Sequence, residues 1–461
     1  VSASSHTVAP LGPRARVAVL AAAFLGLLFD GVELGLMPVA SLSVSKSLLG
    51  DAFTPASGGD WFARFTAALM LGAAIGGIAL GNLGDRIGRS RAMGVSILFY
   101  SVCAALGSLV TSQEQMLALR FFVGLGVGGM WPNGIALVAE SWPTASKATV
   151  SGVMAAGLNA GILMLAQFAQ VWPITPDSWR WIFRLAGLPA VLGVLVLTLL
   201  PESPQWLANR GGVDLRRDAR VPKSIAFNAL FGPTLLRTTL AAVLVSAVPM
   251  VGAWSASKWM VPWADSVAGP SQSSYKAVTQ GWWAAGSVLG SFVGAQLVGW
   301  LGRRGSYLLI SAGATVATAA MFRLTAPLEP TFLPIVCMQG FVSTLFFGWL
   351  AVYLPELFPV DVRATGSGLA YNSGRFLTAI GVLASGWLFA ALGGDYARVG
   401  GLLSLVYALG FVAIWLAPAQ RASQTIPPAS PSSAPEMWRG TDLAPAPPKP
   451  GTKSPSSRPD A

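Results

Sequence analysis

Twelve apolar runs constrain this chain more than any other feature. They fall near residues 16–40, 61–83, 92–111, 115–139, 149–173, 181–200, 237–261, 281–301, 307–325, 331–355, 367–391 and 397–417. Each is long enough for a helix to cross a hydrocarbon core of roughly 30 Å. Lipid offers the backbone no hydrogen-bond partners, so helices are expected. A β-barrel would show shorter, alternating segments. The predicted fold class is an all-α membrane protein with twelve transmembrane helices. Only 11% of residues are charged, against about 25% in soluble domains.

A net charge of +11 could suggest nucleic acid, but the basic residues fall in alternate short loops. On the side shared by both termini lie Arg14 and Arg16; Arg86, Arg89 and Arg91; Lys147; Arg210, Arg216, Arg217, Arg220 and Lys223; Arg303 and Arg304; and Arg363. The opposite loops hold fewer, such as Lys46, Lys276 and Arg398. This pattern places both termini in the cytoplasm and the spans in the plasma (inner) membrane. The first run is too long for the core of an ordinary signal peptide, so it is expected to be a span. The expected organisation is a cytoplasmic N-terminus (1–15), a six-helix half (16–200), a cytoplasmic loop (201–236), a second six-helix half (237–417) and a disordered Pro/Ser/Ala-rich tail (418–461).

Two cysteines and one histidine suggest neither a disulfide framework nor a metal centre. There is no Gly-x-x-x-x-Gly-Lys-Ser/Thr loop. No cofactor is expected, and work done by such a chain would draw on an ion gradient.

Inside the first run, Asp30 and Glu33 stand where an anchor would carry leucine. A charged acid at mid-membrane costs about 2.5–3.5 kcal/mol on insertion scales. Spacing i, i+3 brings the two to about 5–6 Å at Cβ. Two poorly solvated acids that close cannot both ionise easily, which suits a proton-binding device. A buried acid neutralised by a basic partner is the plainer reading.

The chain also repeats itself. Glu140-Ser-Trp-Pro143, Lys147-Ala-Thr149 and Ser151-Gly152 recur as Glu356-Leu-Phe-Pro359, Arg363-Ala-Thr365 and Ser367-Gly368, at a constant offset of 216 residues. Close to that offset, Gly81-Asn-Leu-Gly-Asp85-Arg86 faces Gly299-Trp-Leu-Gly-Arg303-Arg304. Parallel repeats of six spans mark one class of transporter. Glycines such as Gly124, Gly126, Gly128 and Gly129 suit close helix packing or a rocking motion.

On these residues the chain resembles the major facilitator superfamily. Gly81–Arg91 is similar to the superfamily's loop between helices two and three. Arg120-Phe-Phe-Val-Gly124 resembles its helix-four motif, and Pro201-Glu202-Ser203-Pro204 the segment after helix six of sugar porters and organic-acid symporters. Asp30-Gly31-Val-Glu33 resembles the first-helix motif of the metabolite:proton branch, which includes aromatic-acid, sialate and niacin-type carriers. Tyr353–Pro359 and Tyr371–Arg375 look like that branch as well. Val32 and Glu33 depart from its aromatic and second aspartate. The resemblance implies an acid–arginine pair between helices one and four, here Asp30 with Arg120.

The candidate cytoplasmic gate is Asp85, Arg86, Arg89, Glu140, Lys147, Glu202, Arg303, Arg304, Glu356 and Arg363. Arg86, Arg89 and Arg91 are expected to pair with Glu140 and Glu202, and Arg303 and Arg304 with Glu356; an orientation signal with helix caps is the alternative. Proton coupling falls to Asp30, Glu33 and Arg120. Arg375, about eight residues into its helix, is too deep to snorkel easily and suits a carboxylate. Asn159, Asn372, Tyr371, Gln280, Trp254 and Lys258 are further candidates for substrate binding. Lys258, near the outer end of helix seven, could instead snorkel, and Trp254, Trp259, Trp282 and Trp283 suit stacking on an aromatic ring or a place at the membrane interface.

The expected function is proton-coupled symport of a small organic anion by a monomer in the bilayer, with no catalytic residue. A proton-driven exporter or organic-cation carrier, and a non-transporting sensor of the same fold, remain open.

Overall fold

The computed structural model describes residues 11–142, 146–210, 223–359 and 362–418. The predicted tail, and much of the loop between the halves, lie outside the described residues. Within them, eleven helices are long and apolar enough to cross a membrane. One of the eleven, α12 (Tyr275–Arg323), is two spans in one, broken by Gly302 at φ 68° and ψ 176°. Counting it twice gives the twelve crossings that the sequence predicts.

In the first half the spans are α1 (Pro13–Leu49), α2 (Pro55–Ile87), α3 (Arg89–Leu106), α4 (Gln113–Ser141), α5 (Lys147–Val171), and a sixth built from α6 (Arg180–Ala186) and α7 (Ala190–Leu199). Two short helices follow, α8 (Pro204–Arg210) and α9 (Lys223–Leu230). The second half begins with α10 (Leu236–Val251) and α11 (Met260–Ala268), then α12, α13 (Phe332–Glu356), α14 (Arg363–Ala391), and α15 (Tyr396–Leu403) with α16 (Leu405–Leu416). Because crossings alternate, residues 11 and 418 share one face, called here the terminal face; the other is the far face.

Helix limits overrun the apolar runs where polar residues can cap or continue them. The first helix is expected to stop near residue 40, yet α1 runs to Leu49. Ser43 there finds a buried acceptor, donating to the Ile174 carbonyl at 3.0 Å. α2 starts at a capping box, in which Thr54 and Ser57 bond each other's backbone N–H ahead of the apolar run. Buried hydroxyls inside spans return to the previous turn, as Ser96 to Ala92 and Ser246 to Ala242, both 2.8 Å.

Glycine sets how closely helices cross. A Cβ on Gly31 would meet the Leu158 carbonyl at 1.8 Å, and one on Gly161 the Leu28 carbonyl at 1.7 Å, so α1 and α5 touch backbone to backbone. A Cβ on Gly124 or Gly128 of α4 would meet the Leu69 or Ala73 carbonyl of α2 at 2.3 or 2.2 Å. These α4 glycines therefore pack helices within one half. The halves meet along α2 with α14 and α5 with α12.

Candidate functional site

Eight spans surround a buried cavity of about 110 Å³. Of the candidate residues, Asp30 of α1, Asn159 of α5, Trp254 and Lys258 of the seventh span, and Tyr371 and Arg375 of α14 line it. Trp131, Trp283 and Phe347 give it aromatic walls, and Ser343, Thr344 and Thr378 add hydroxyls. Of these, Trp283 is anticipated as one of four tryptophans suited either to stacking on an aromatic ring or to the membrane interface, and the hydroxyls carry no signal that separates them from ordinary helix residues.

The acid pair is divided between two tasks. Glu33, buried to 1% exposure, accepts from Arg120 Nη1 at 3.0 Å, and its backbone carbonyl accepts from Nη2 at 3.0 Å. Arg120 thus pairs with Glu33, not with Asp30 as expected. The reason is helical phase: three residues advance about 300°, which turns Glu33 toward α4 and Asp30 toward the cavity. Asp30 Oδ1 is buried and has no hydrogen-bond partner among the described residues. Arg375 lines the same cavity as Asp30.

Arg375 donates from Nη1 to the Ala73 carbonyl of α2 at 3.0 Å, a bond between the halves. Its guanidinium carbon lies 5.2 Å from the Tyr371 ring centre.

Lys258 does not snorkel. It is 2% exposed, with Nζ 3.3 Å from the Trp283 ring centre and no hydrogen-bond partner among the described residues. The seventh span explains this. Between α10 and α11 the chain winds as a π-turn over Gly252–Ala256 and a 3-10 turn over Ser257–Trp259. Such local changes of winding re-aim side chains and recur at functional sites. Trp283 is itself held, its Nε1 donating to Gln339 Oε1 at 2.7 Å. Gln339 in turn donates to Ser257 Oγ and Thr318 Oγ1, and Ser257 shares a hydrogen bond with Tyr407 at 3.0 Å.

Other candidates sit nearby in different roles. Asn159 links the halves, donating to Ser291 Oγ at 3.1 Å. Gln280 does not line the cavity; it donates to the Gly35 carbonyl at 3.0 Å and so ties α12 to α1. Asn372 lines a second chamber of about 400 Å³ nearer the terminal face. The two chambers share Trp131, Phe347, Tyr371 and Arg375 as their partition. Trp259 packs against Phe62 and Phe389 at 5.1 and 4.9 Å between ring centres, joining the halves on the far face. Lys276 of α12 adds a polar tie there, to Ser43 of α1 at 2.9 Å and Asp265 at 3.1 Å. Trp282 is 44% exposed, as an interfacial tryptophan would be.

Terminal-face charges meet within each half among the described residues. Arg89 lies 2.6 Å from Asp85 and 3.9 Å from Glu140. Glu140 also accepts from Ser203. Glu202 is expected to pair with an arginine side chain; it accepts instead from the backbone N–H groups of Arg89 and Ser90, at 2.7 and 3.1 Å, and from Ser90 Oγ. It caps the start of α3, where the helix dipole favours an anion. In the second half Arg303 pairs with Glu356. Arg304 donates to the Ala417 carbonyl at 3.0 Å, and Arg363 to the Phe358 carbonyl at 3.3 Å. Arg86 is exposed, and the Lys147 side chain lies outside the described residues.

A family model described as sugar (and other) transporter matches residues 19–417. A cis,cis-muconate transport protein of Acinetobacter baylyi is 30% identical over 370 residues, covering 79% of this chain and 86% of that protein. The 4-hydroxybenzoate transporter PcaK of Pseudomonas aeruginosa is 27% identical over 385 residues, covering 76% and 82%. Among solved structures, a partially occluded, inward-open conformation of the xylose transporter XylE from E. coli superposes with TM-score 0.68 at 16% identity, covering 90% of this chain and 100% of that one.

Proposed function

Because the chain belongs to the sugar (and other) transporter family, within the major facilitator superfamily, we propose that it is a proton-coupled symporter of a small organic anion. Transport across a membrane by a multi-pass protein, rather than catalysis, follows from the family. The anion, the proton and the direction are our reading.

One observation carries it: Asp30 and Arg375 line the same buried cavity, on opposite halves of the molecule. With Asp30 ionised, the two charges offset each other. Protonating Asp30 leaves Arg375 without a counter-charge, and a carboxylate then supplies one. A proton and an anion are thereby bound together. An organic cation fits less well, because two cations and one carboxylate line the space. The relatives' names point the same way, since muconate and 4-hydroxybenzoate are carboxylates.

Movement between faces follows from how the chambers are arranged. The far-face contacts of Phe62, Trp259 and Lys276 separate, while the partition of Trp131, Phe347, Tyr371 and Arg375 closes. Glu33 and Arg120 stay paired and tie α1 to α4. The terminal-face charges brace each half during the exchange. One chain encloses the whole cavity, so a monomer in the inner membrane, with both termini cytoplasmic, is sufficient.

The test is uptake into proteoliposomes, with a panel of radiolabelled organic acids under an imposed pH gradient. Accumulation of at least one acid, abolished by a protonophore, is the expected result. Uptake indifferent to the gradient would refute proton coupling.

A further inference from the structure

Three side chains of basic or acidic type line the cavity: Lys258 and Arg375 against Asp30. The reading above uses Asp30 and Arg375 and leaves Lys258 over. Its ammonium is buried in the span, has no hydrogen-bond acceptor among the described residues, and rests on the face of Trp283. A ring face compensates only part of a buried charge, and uncompensated charge in such a place is expensive to keep. The protein nonetheless builds a support for it. The π-turn re-aims the seventh span, and Gln339, Ser257 and Tyr407 fix the tryptophan beneath the ammonium.

We propose that the cavity is built for a flat dicarboxylate, with Arg375 taking one carboxylate and Lys258 the other. This rests on the organic-anion symport proposed above. Charge counting decides between one carboxylate and two. When Asp30 carries its proton, the lining charge is that of Lys258 and Arg375 together. A monocarboxylate leaves one of these cations unmatched; a dicarboxylate matches both. The walls explain the flat shape. Trp131, Trp254, Trp283 and Phe347 line the same cavity as the charged groups, and rings stack best on planar, conjugated molecules. Lys258 is on this view a specificity-determining residue, because a site with a buried cation discriminates strongly against a ligand that leaves it unpaired.

The test compares two matched pairs of acids in proteoliposomes of the full chain: benzoate with benzene-1,4-dicarboxylate, and hexa-2,4-dienoate with hexa-2,4-dienedioate. Concentrations giving half-maximal counterflow are measured for each. The expected result is that the dicarboxylate of at least one pair is preferred by tenfold or more. Lys258→Met should erase that preference by weakening the dicarboxylate at least tenfold more than the monocarboxylate, and Lys258→Arg should keep most of it. Should Lys258→Met not fold, the wild-type preference decides alone. A wild type that prefers the monocarboxylate in both pairs overturns the inference and leaves anion symport standing. So does a Lys258→Met protein that weakens both members of a pair equally. If none of the four acids is carried, the inference is overturned, and the panel under the pH gradient separately decides whether the anion reading falls with it.

Discussion

Arg120 grips Glu33 twice, through the carboxylate and through the backbone carbonyl, each at 3.0 Å. One turn away, Asp30 faces the cavity with Oδ1 unpartnered among the described residues. Two acids three residues apart thus have different work. Glu33 balances a buried guanidinium and fixes α1 against α4. On the symport proposed above, Asp30 is the acid left to exchange a proton.

That division predicts opposite phenotypes. Glu33→Gln removes the counter-ion of a buried arginine, a change that costs roughly 3–5 kcal/mol. Asp30→Asn removes a carboxylate whose Oδ1 makes no bond that would be lost. Thermal unfolding in detergent should therefore drop by many degrees for Glu33→Gln and change little for Asp30→Asn. Asp30→Asn should instead lose pH-driven accumulation while retaining counterflow. Full accumulation by that variant would remove Asp30 from the coupling.

The sign of the pH dependence follows from the same residue. On the symport proposed above, the substrate-competent cavity is the one in which Asp30 holds a proton. At fixed internal pH, initial uptake should rise as the external medium is acidified. In Asp30→Asn the side chain is permanently neutral, so the external pH profile should flatten. A profile as steep as that of the wild type would place the titrating group elsewhere.

Arg375→Ala removes a charge-assisted contact, worth about 1.5–3 kcal/mol, or roughly ten- to 150-fold in affinity. It also breaks the bond to the Ala73 carbonyl that crosses the halves. Binding of a transported acid, measured by calorimetry, should weaken accordingly. Removal of the residues after Pro418 should leave binding unchanged. Equal effects of the two changes would reject Arg375 as the anion site.

Much of this architecture is legible in the sequence because bilayer physics is blunt. Twelve runs of spanning length leave few alternatives, and a constant 216-residue offset relates the halves. Asp30, Arg375, Asn159, Tyr371 and Trp254 are readable because polar groups inside apolar runs are costly and few. What is hidden depends on phase and winding. The sequence spacing that puts Asp30 and Glu33 on one face does not say which of them meets Arg120. The π-turn that turns Lys258 inward has no counterpart in a hydropathy pattern, so the lysine reads equally well as a snorkelling residue. Gln280 looks like a cavity residue and is a tie to Gly35, because a polar side chain in a span can face a neighbouring backbone as well as a substrate.

The terminal-face charges support a further prediction. Arg303 of α12 and Glu356 at the end of α13 pair within the second half. Reversing either charge alone should lower transport by leaving like charges opposed. Reversing both should restore much of it. Combining Glu356→Arg with Arg363→Glu should restore less, since Arg363 donates to the Phe358 carbonyl. Better rescue by that second combination would show that the functional pair is different from the one seen.

On the far face, Lys276 ties α12 to α1 through Ser43 and to α11 through Asp265. It is 3% exposed, so the tie is better shielded than a surface ion pair and worth more than the usual fraction of a kcal/mol. It acts in the arrangement in which the far face is shut, and separating α1 from α12 to open that face must break the bond to Ser43. Lys276→Met keeps the length and apolar stem of the side chain but removes the charge and its donors. The loss falls on the closed state, so the population should shift toward an open far face, by about tenfold for each 1.4 kcal/mol removed. A cysteine placed at Ser41, buried on α1, reports that shift through its rate of labelling by a membrane-impermeant reagent applied from the far side, in a background where Cys103 and Cys337 are replaced by serine. Labelling should be severalfold faster with Lys276→Met than without it, and high concentrations of a transported acid should alter both rates. An unchanged rate would mean that the Phe62, Trp259 and Phe389 cluster holds the far face closed without the lysine.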